Sequence, residues 1–426
     1  MANLRIIGGR PLRGTVDPIS NKNSIIKLIV AAGLTDETVR LHNVPKTTDV
    51  RILLKIWKQL GAKVSYPKVG DITINCSTVT SNEIPFDMFS KIKASMLFIA
   101  PMLHRFGEVK VPIPGGCNLG YRRIDQFFES ISQLGAKAEL TEKVLYFRKN
   151  DMKNRKVWMT FPSVTATENL ILAMVLSRGA GEIYNAACEP HTQDLCHMLN
   201  KMGADIQGIG TNKLIISGVE KLNGVEYTPI NEHLDIGAYI AAAAMTGGEI
   251  RIKNAIPEHM PMILMMYKRL GVKVKIDGND IVVPENQKMK IGTDVKGNMQ
   301  YVEALPWPNF PTDLFPIAVV LGATADGEVF FFNKMDEQQL LFVEELAKMG
   351  LRSFMGGTQR IVTYGPTKWR GARVNAPYII QSTMAMFLAA LAAKGVTIIQ
   401  NADALLRRYP DLVEKYTSLG AKVEWV

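Results

Sequence analysis

The chain has 426 residues, with 50 Lys and Arg against 40 Asp and Glu, 47% hydrophobic residues and four cysteines. No apolar run reaches the roughly 20 residues that a bilayer span requires, and the four cysteines show no metal-ligand spacing and fit a reducing cytoplasm. The net charge of +10 favours anionic partners, but there is no Lys/Arg tract and no interleaved aromatic motif, so a small phosphorylated substrate fits better than nucleic acid.

Met1-Ala2-Asn3-Leu4-Arg5-Ile6 enters a strand at once and lacks the layout of a signal peptide. Residues 24–34 are apolar on every side and predict a buried helix. A strand over 39–43 ends in asparagine, which suits a strand-to-helix turn because its side chain accepts from free helix amides. Residues 49–60 place apolar side chains at helical spacing, and Gly61 caps that helix in the left-handed conformation. A short strand follows.

This unit recurs. The phrase Leu60-Gly61-Ala62-Lys63-Val64 returns around Gly135, Gly203, Gly271, Gly350 and Gly420. Buried helices are expected over 91–105, 165–177, 235–245, 312–323 and 381–393. Asparagine-ended strands are expected over 182–185, 249–254, 328–333 and 396–401. Six units of about 70 residues cover the chain, each reading strand, buried helix, strand, surface helix, strand. A chain of this length exceeds one hydrophobic core, so two domains of three units each are expected, α/β in class, with helices inside and sheets outside.

Three places break the pattern. Ser20-Asn21-Lys22-Asn23-Ser24 sets a lysine at a helix start, against the helix dipole; either a bound anion or plain solvation accounts for it. Pro114-Gly115-Gly116-Cys117-Asn118-Leu119-Gly120-Tyr121-Arg122-Arg123-Ile124-Asp125 replaces the usual asparagine turn of the second unit. Glycines admit a close ligand, and two arginines at a helix start favour an anion and a reactive thiolate at Cys117. The plain alternative is a glycine loop with an incidental cysteine. Phe310-Pro311-Thr312-Asp313 sets Asp313 at a buried helix start, where an aspartate is most often a structural cap.

On these residues the chain resembles the enolpyruvyl transferases. The motifs are Lys22-Asn23, Asn43-Val44-Pro45-Lys46, Pro114-Gly115-Gly116-Cys117, Asn185-Ala186-Ala187 with Glu189-Pro190, and Phe310-Pro311-Thr312-Asp313. The cysteine loop points to the uridine-nucleotide branch, which serves peptidoglycan synthesis, and away from the shikimate branch. The resemblance implies a two-domain inside-out α/β barrel, residues 22–230 forming one domain and 1–21 with 231–426 the other, with the active site in the cleft between them. It implies transfer of enolpyruvyl from phosphoenolpyruvate to a hydroxyl of a UDP-sugar such as UDP-N-acetylglucosamine, with release of phosphate. Cys117 would be the acid, Asp313 the base, and Lys22, Arg122 and Arg407 would hold the phosphate. Asn23 would touch the sugar. Arg122, Arg123, Ile124 and Asp125, with Ser163, Val164 and Thr165, would line the uridine diphosphate site, and Lys93 would stand where the family has a substrate-binding arginine. An acid and a base on opposite faces, with fixed cations beside the phosphate, suit this reaction without a metal or organic cofactor. No nucleic acid, membrane or obligate protein partner is implied, and the cytoplasm is the expected compartment.

The chain also departs from the family. Gln339, in Glu337-Gln338-Gln339, and Ile380, in Tyr378-Ile379-Ile380, stand where arginines that hold the phosphoenolpyruvate carboxylate are usual; the latter segment also lacks a usual acid. In the uridine site, Arg123 replaces a proline and Cys188 an arginine. Two missing charge-assisted contacts are worth two to four powers of ten in affinity, roughly. Two further readings therefore stand beside the transferase: a repurposed enzyme in specialised metabolism that does not use the carboxylate site, and a non-catalytic nucleotide-binding protein.

Overall fold

Helices that are apolar all round must be buried, and this is where the fold begins. In the computed structural model, which describes residues 2–113, 125–141 and 144–426, the helix His233–Thr246 is buried at every residue but its last. Lys22–Ala31, Val164–Met174, Phe315–Thr324 and Ile380–Ala392 are nearly as enclosed. Residues 91–105, expected as one helix, divide into a 3-10 segment Lys93–Phe98 and an α-helix Ile99–Phe106. Phe315–Thr324 is likewise preceded by a 3-10 turn, Thr312–Leu314. The cause in both is proline. Pro101 and Pro316 lack an N–H and fit an α-helix only in its first turn, so the α-helix starts just ahead of each.

The outer helices are amphipathic. They are Thr48–Gln59, Asp125–Gln133, Pro190–Lys201, Pro261–Arg269, Val343–Lys348 and Leu412–Ser418. The expected glycine caps are present: Gly61, Gly135, Gly203, Gly271, Gly350 and Gly420 all have positive φ, between 85° and 102°. The asparagines before these helices do a different job from the one expected. Asn43, Asn185, Asn254 and Asn401 are themselves left-handed, at φ 46–57°, a conformation that asparagine tolerates better than most residues. Asn333 does not cap its helix either: it accepts from the backbone N–H groups of Met335 and Asp336 at 2.9 and 3.0 Å, in the loop ahead of Val343–Lys348.

Among the described residues, five of the six sheets hold one strand more than the sequence pattern suggests. In the fifth repeat, Gln300–Ala304 runs parallel to Gly327–Asn333, which pairs antiparallel with Arg360–Gly365, and that strand with Ser353–Met355. The repeat is thus strand, inner helix, strand, outer helix, hairpin. Glycines in the turns, Gly278-Asn279 and Gly356-Gly357 among them, are the signal that marks the second hairpin strand. Among the described residues, five sheets have four strands and one has three, Glu108–Pro112, Val144–Lys149 and Ala136–Thr141.

Three sheets borrow a strand from far along the chain. Arg13–Val16 lies parallel to Glu249–Ile252 and completes the fourth repeat. Leu4–Gly8 lies between Gly395–Gln400 and Lys422–Trp425, completing the sixth repeat. Val225–Tyr227 lies parallel to Thr38–Leu41 and completes the first. The described residues accordingly form two compact units, one of residues up to Ile19 with Asn231–Val426, the other running from Ser20 to Ile230. Each has its own apolar core, and in each the inner helical segments pack on one another.

Candidate functional site

Several candidate site residues and their partners gather at the starts of the inner helices. Lys22, Lys93, Val164, His233, Asp313 and Gln381 each occupy the first or second residue of an inner helical segment. This shared register is a signal that the sequence contained and that lining up the six repeats would have exposed.

In the unit from Ser20 to Ile230, Lys22 is buried and its Nζ lies 2.7 Å from Asp49 Oδ2. The anion that a lysine at a helix start requires is therefore at hand. It comes from the first turn of Thr48–Gln59, where a carboxylate also suits that helix's dipole. Asn21 caps Lys22–Ala31 by accepting from the backbone N–H of Ser24 at 3.0 Å. One turn further along, Lys27 meets Glu168 at 2.6 Å, both almost wholly buried, and Thr192 donates to the same Glu168 oxygen at 2.9 Å. Ser24 Oγ and Tyr227 Oη both donate to Asp194. Burial lifts the Glu189 carboxyl to about 7, helped by the nearby Glu168.

Asn23, Lys93, Ser163, Val164 and Thr165 are half-buried, and Asp125 is exposed as the first residue of its helix. Cys117, Arg122, Arg123 and Ile124 lie outside the described residues. The other three cysteines are buried, and burial raises their thiols, Cys76 to about 12 and Cys188 to about 11, with Cys196 higher still. A protonated thiol is a poor nucleophile, so these three should be unreactive at neutral pH.

In the unit containing Asn231–Val426, Asp313 is clamped. Gln381 Nε2 donates to its Oδ1 at 2.5 Å, and Arg408 Nη2 donates to its Oδ2 at 3.0 Å. The Asp313 side chain is 25% exposed and that of Arg408 only 5%. Burial alone would raise the Asp313 carboxyl, but Arg408, with help from Gln381 and His233, holds it below the ordinary range. His233 lies beside Glu232 and meets the edge of Trp307 at 5.7 Å. Arg407, the arginine singled out from the sequence, is half-buried and has a partner of its own. Arg408, Gln381, His233 and Asp49 were missed: each resembles an ordinary surface or cap residue until the fold brings it beside its partner.

The two positions where arginines are usual differ in kind. Gln339 is wholly buried, accepting from Asn333 Nδ2 at 2.7 Å and donating to Asp336 Oδ2 at 2.9 Å. Its backbone carbonyl accepts from Ser382 Oγ at 3.0 Å. Its amide thus ties down the loop after Gly327–Asn333. Ile380 is buried at the first residue of its helix, whereas Gln338 and Tyr378 are exposed.

Among the described residues no helix is long and apolar enough to cross a membrane. The profile of the EPSP synthase (3-phosphoshikimate 1-carboxyvinyltransferase) family matches residues 6–416. The chain is 38% identical over 419 residues to UDP-N-acetylglucosamine 1-carboxyvinyltransferase of Borreliella burgdorferi, covering 98% of both chains. It is 39% identical to the enzyme of the same name from Bradyrhizobium diazoefficiens, covering 98% of this chain and 97% of that one. The enolpyruvyl transferase NikO of Streptomyces tendae shares its fold with a TM-score of 0.88, at 23% identity over 100% of this chain and 99% of that one. A six-repeat fold of enclosed helices behind outer sheets, matched along almost its whole length, makes this chain a member of the EPSP synthase family of enolpyruvyl transferases, a 1-carboxyvinyltransferase on the two-domain inside-out α/β fold.

Proposed function

We propose that the protein transfers the enolpyruvyl group of phosphoenolpyruvate to a hydroxyl of UDP-N-acetylglucosamine, or of a closely related uridine nucleotide, and releases inorganic phosphate. The observation that carries this reading is the near-complete, 38–39% identity to relatives bearing that name. In the reaction the acceptor oxygen bonds to C2 of the enolpyruvyl group while a proton adds to the methylene carbon. Loss of that proton and cleavage of the bond from C2 to the phosphate oxygen then give the vinyl ether and phosphate. Cys117 is the acid at carbon and Asp313 the base at the acceptor hydroxyl. Lys22, Arg122 and Arg407 neutralise the phosphate. Asn23 and Lys93 contact substrate, and Arg123, Ile124, Asp125, Ser163, Val164 and Thr165 serve the uridine diphosphate. The clamped, ionised Asp313 supports its part, since a base must be unprotonated and aimed. So does the buried Lys22, whose carboxylate partner a phosphate can replace. The cytoplasm, where both substrates are made, is the compartment that suits this activity.

Phosphate release from phosphoenolpyruvate with UDP-N-acetylglucosamine, and mass detection of the carboxyvinyl ether, test the proposal. No phosphate above background, across several UDP-sugars at saturating phosphoenolpyruvate, overturns it. One observation favours a second reading, a repurposed enzyme that does not use the donor carboxylate. Gln339 is committed to Asn333 and Asp336, and Ile380 offers no donor side chain. Turnover of a phosphorylated donor without a carboxylate, at rates above those with phosphoenolpyruvate, would select it.

A further inference from the structure

A buried guanidinium is costly unless its donors are used, and Arg408 is not fully used. Its side chain is 5% exposed, its Nη2 donates to Asp313 and its Nε finds no acceptor. A well-packed apolar residue would serve stability better at such a site. The arrangement makes sense if the geometry of Asp313 is what Arg408 secures. From the sequence, Arg408 is simply the second of two adjacent arginines.

We infer that Arg408 is a positioning residue: with Gln381 it fixes the plane of the Asp313 carboxylate and leaves that group's remaining lone pairs facing the open quarter of the side chain, toward an acceptor hydroxyl. The inference rests on the reading of Asp313 as the base. Each Asp313 oxygen gives one lone pair to the clamp, Oδ2 to Arg408 and Oδ1 to Gln381, and keeps another. Among the described residues, the charged and titratable groups that act on the pair are His233, on Asp313, and Glu232 and Tyr409, on Arg408. Arg408 itself is the strongest influence keeping Asp313 ionised, ahead of Gln381 and His233.

The test has two arms. In the first, aspartate Cγ is labelled with carbon-13 and the Asp313 resonance is assigned by its absence in Asp313→Asn. Its midpoint in the parent protein should fall below the ordinary carboxylate value of about 3.9; a midpoint at or above that value overturns the inference. In the second, kcat/KM is followed against pH for the parent, Arg408→Lys and Arg408→Gln. Arg408→Gln should move the acid limb upward by about one to two units, with little change in KM for the uridine nucleotide. Arg408→Lys should keep most of the limb's position but lose kcat, because an ammonium holds a point and not a plane. Equal losses in both variants at every pH, or an unmoved limb in Arg408→Gln, overturn the positioning role while leaving the transferase reading intact. Absence of turnover in the parent overturns that reading, and the positioning role with it. Should Arg408→Gln not fold, the parent titration and the Arg408→Lys profile decide.

Discussion

Replacing Lys27 with methionine isolates the worth of one buried ion pair. Lys27 Nζ and Glu168 Oε1 are 2.6 Å apart, with side-chain exposures of 5% and 0%. Methionine keeps the length of the aliphatic stem and removes the charge, so Glu168 keeps only Thr192 as a described donor. Removing one partner of a buried pair typically costs about 3–5 kcal/mol, because the other charge stays buried alone. The loss should depend on pH in a definite direction. Burial raises the Glu168 carboxyl, and Lys27 pulls it part of the way back. A carboxyl raised in the folded state destabilises as pH climbs from its unfolded value, about 4.3, through its folded one. Lys27→Met removes the pull, so the gap from the parent should be small near the unfolded carboxyl value and full at neutral pH. The double variant Lys27→Met/Glu168→Gln should recover all but about 1 kcal/mol, since its amide oxygen can still accept from Thr192. Urea unfolding followed by tryptophan fluorescence, at several pH values, measures all three proteins. The reasoning is refuted if Lys27→Met falls within about 1 kcal/mol of the parent at neutral pH, if the gap does not vary with pH, or if the double variant is no better than the single.

Iodoacetamide at neutral pH should label Cys117 first, since burial raises the other three thiols; mass mapping that finds Cys76, Cys188 or Cys196 labelled first contradicts this. Restoring both arginines with Gln339→Arg and Ile380→Arg should lower KM for phosphoenolpyruvate by about two powers of ten or more, and an unchanged KM would show that the carboxylate is held elsewhere. The first change also breaks the Asn333–Gln339–Asp336 tie, so a lower melting temperature should accompany it. Gly33→Ala should destabilise by about 1–3 kcal/mol, because a Cβ there would sit 2.3 Å from the Trp57 ring, which is itself pinned by its Nε1 donating to the Ile29 carbonyl at 2.9 Å; a neutral effect on chemical denaturation would mean that the ring yields.

Much of this was legible because it repeats. Six glycine caps and six enclosed helices carry local signals, a left-handed turn and an unbroken apolar surface, that need no knowledge of distant residues. What the sequence hid was non-local. Leu4–Gly8 reads as an ordinary strand, and nothing in its residues names partners close to the other end of the chain. Asp313 was noticed for its motif, but Arg408 and Gln381 become meaningful only when two helix starts and a 3-10 turn meet. Gln339 was noticed as standing where an arginine is usual, and nothing local shows that burial commits its amide to the chain itself. The 3-10 preludes to two inner helices were legible in principle, since Pro101 and Pro316 mark where an α-helix has to begin.

The borrowed strands also impose an order of assembly on a chain made from one end. Val225–Tyr227 follows closely on the repeats it completes, so everything from Ser20 to Ile230 is available together. Leu4–Gly8 instead leaves the ribosome long before Gly395–Gln400 and Lys422–Trp425 and has to wait for them. At ordinary elongation rates that wait is about 20–80 s. For that interval a strand with two apolar side chains destined for the core, Leu4 and Ile6, has no native neighbour. Its shortness, and the exposed Arg5 that later meets Glu424, limit its hazard as a template for other chains. Translation speed is thus a variable in the yield of this protein, acting through Leu4–Gly8 and, over a shorter wait for Glu249–Ile252, through Arg13–Val16.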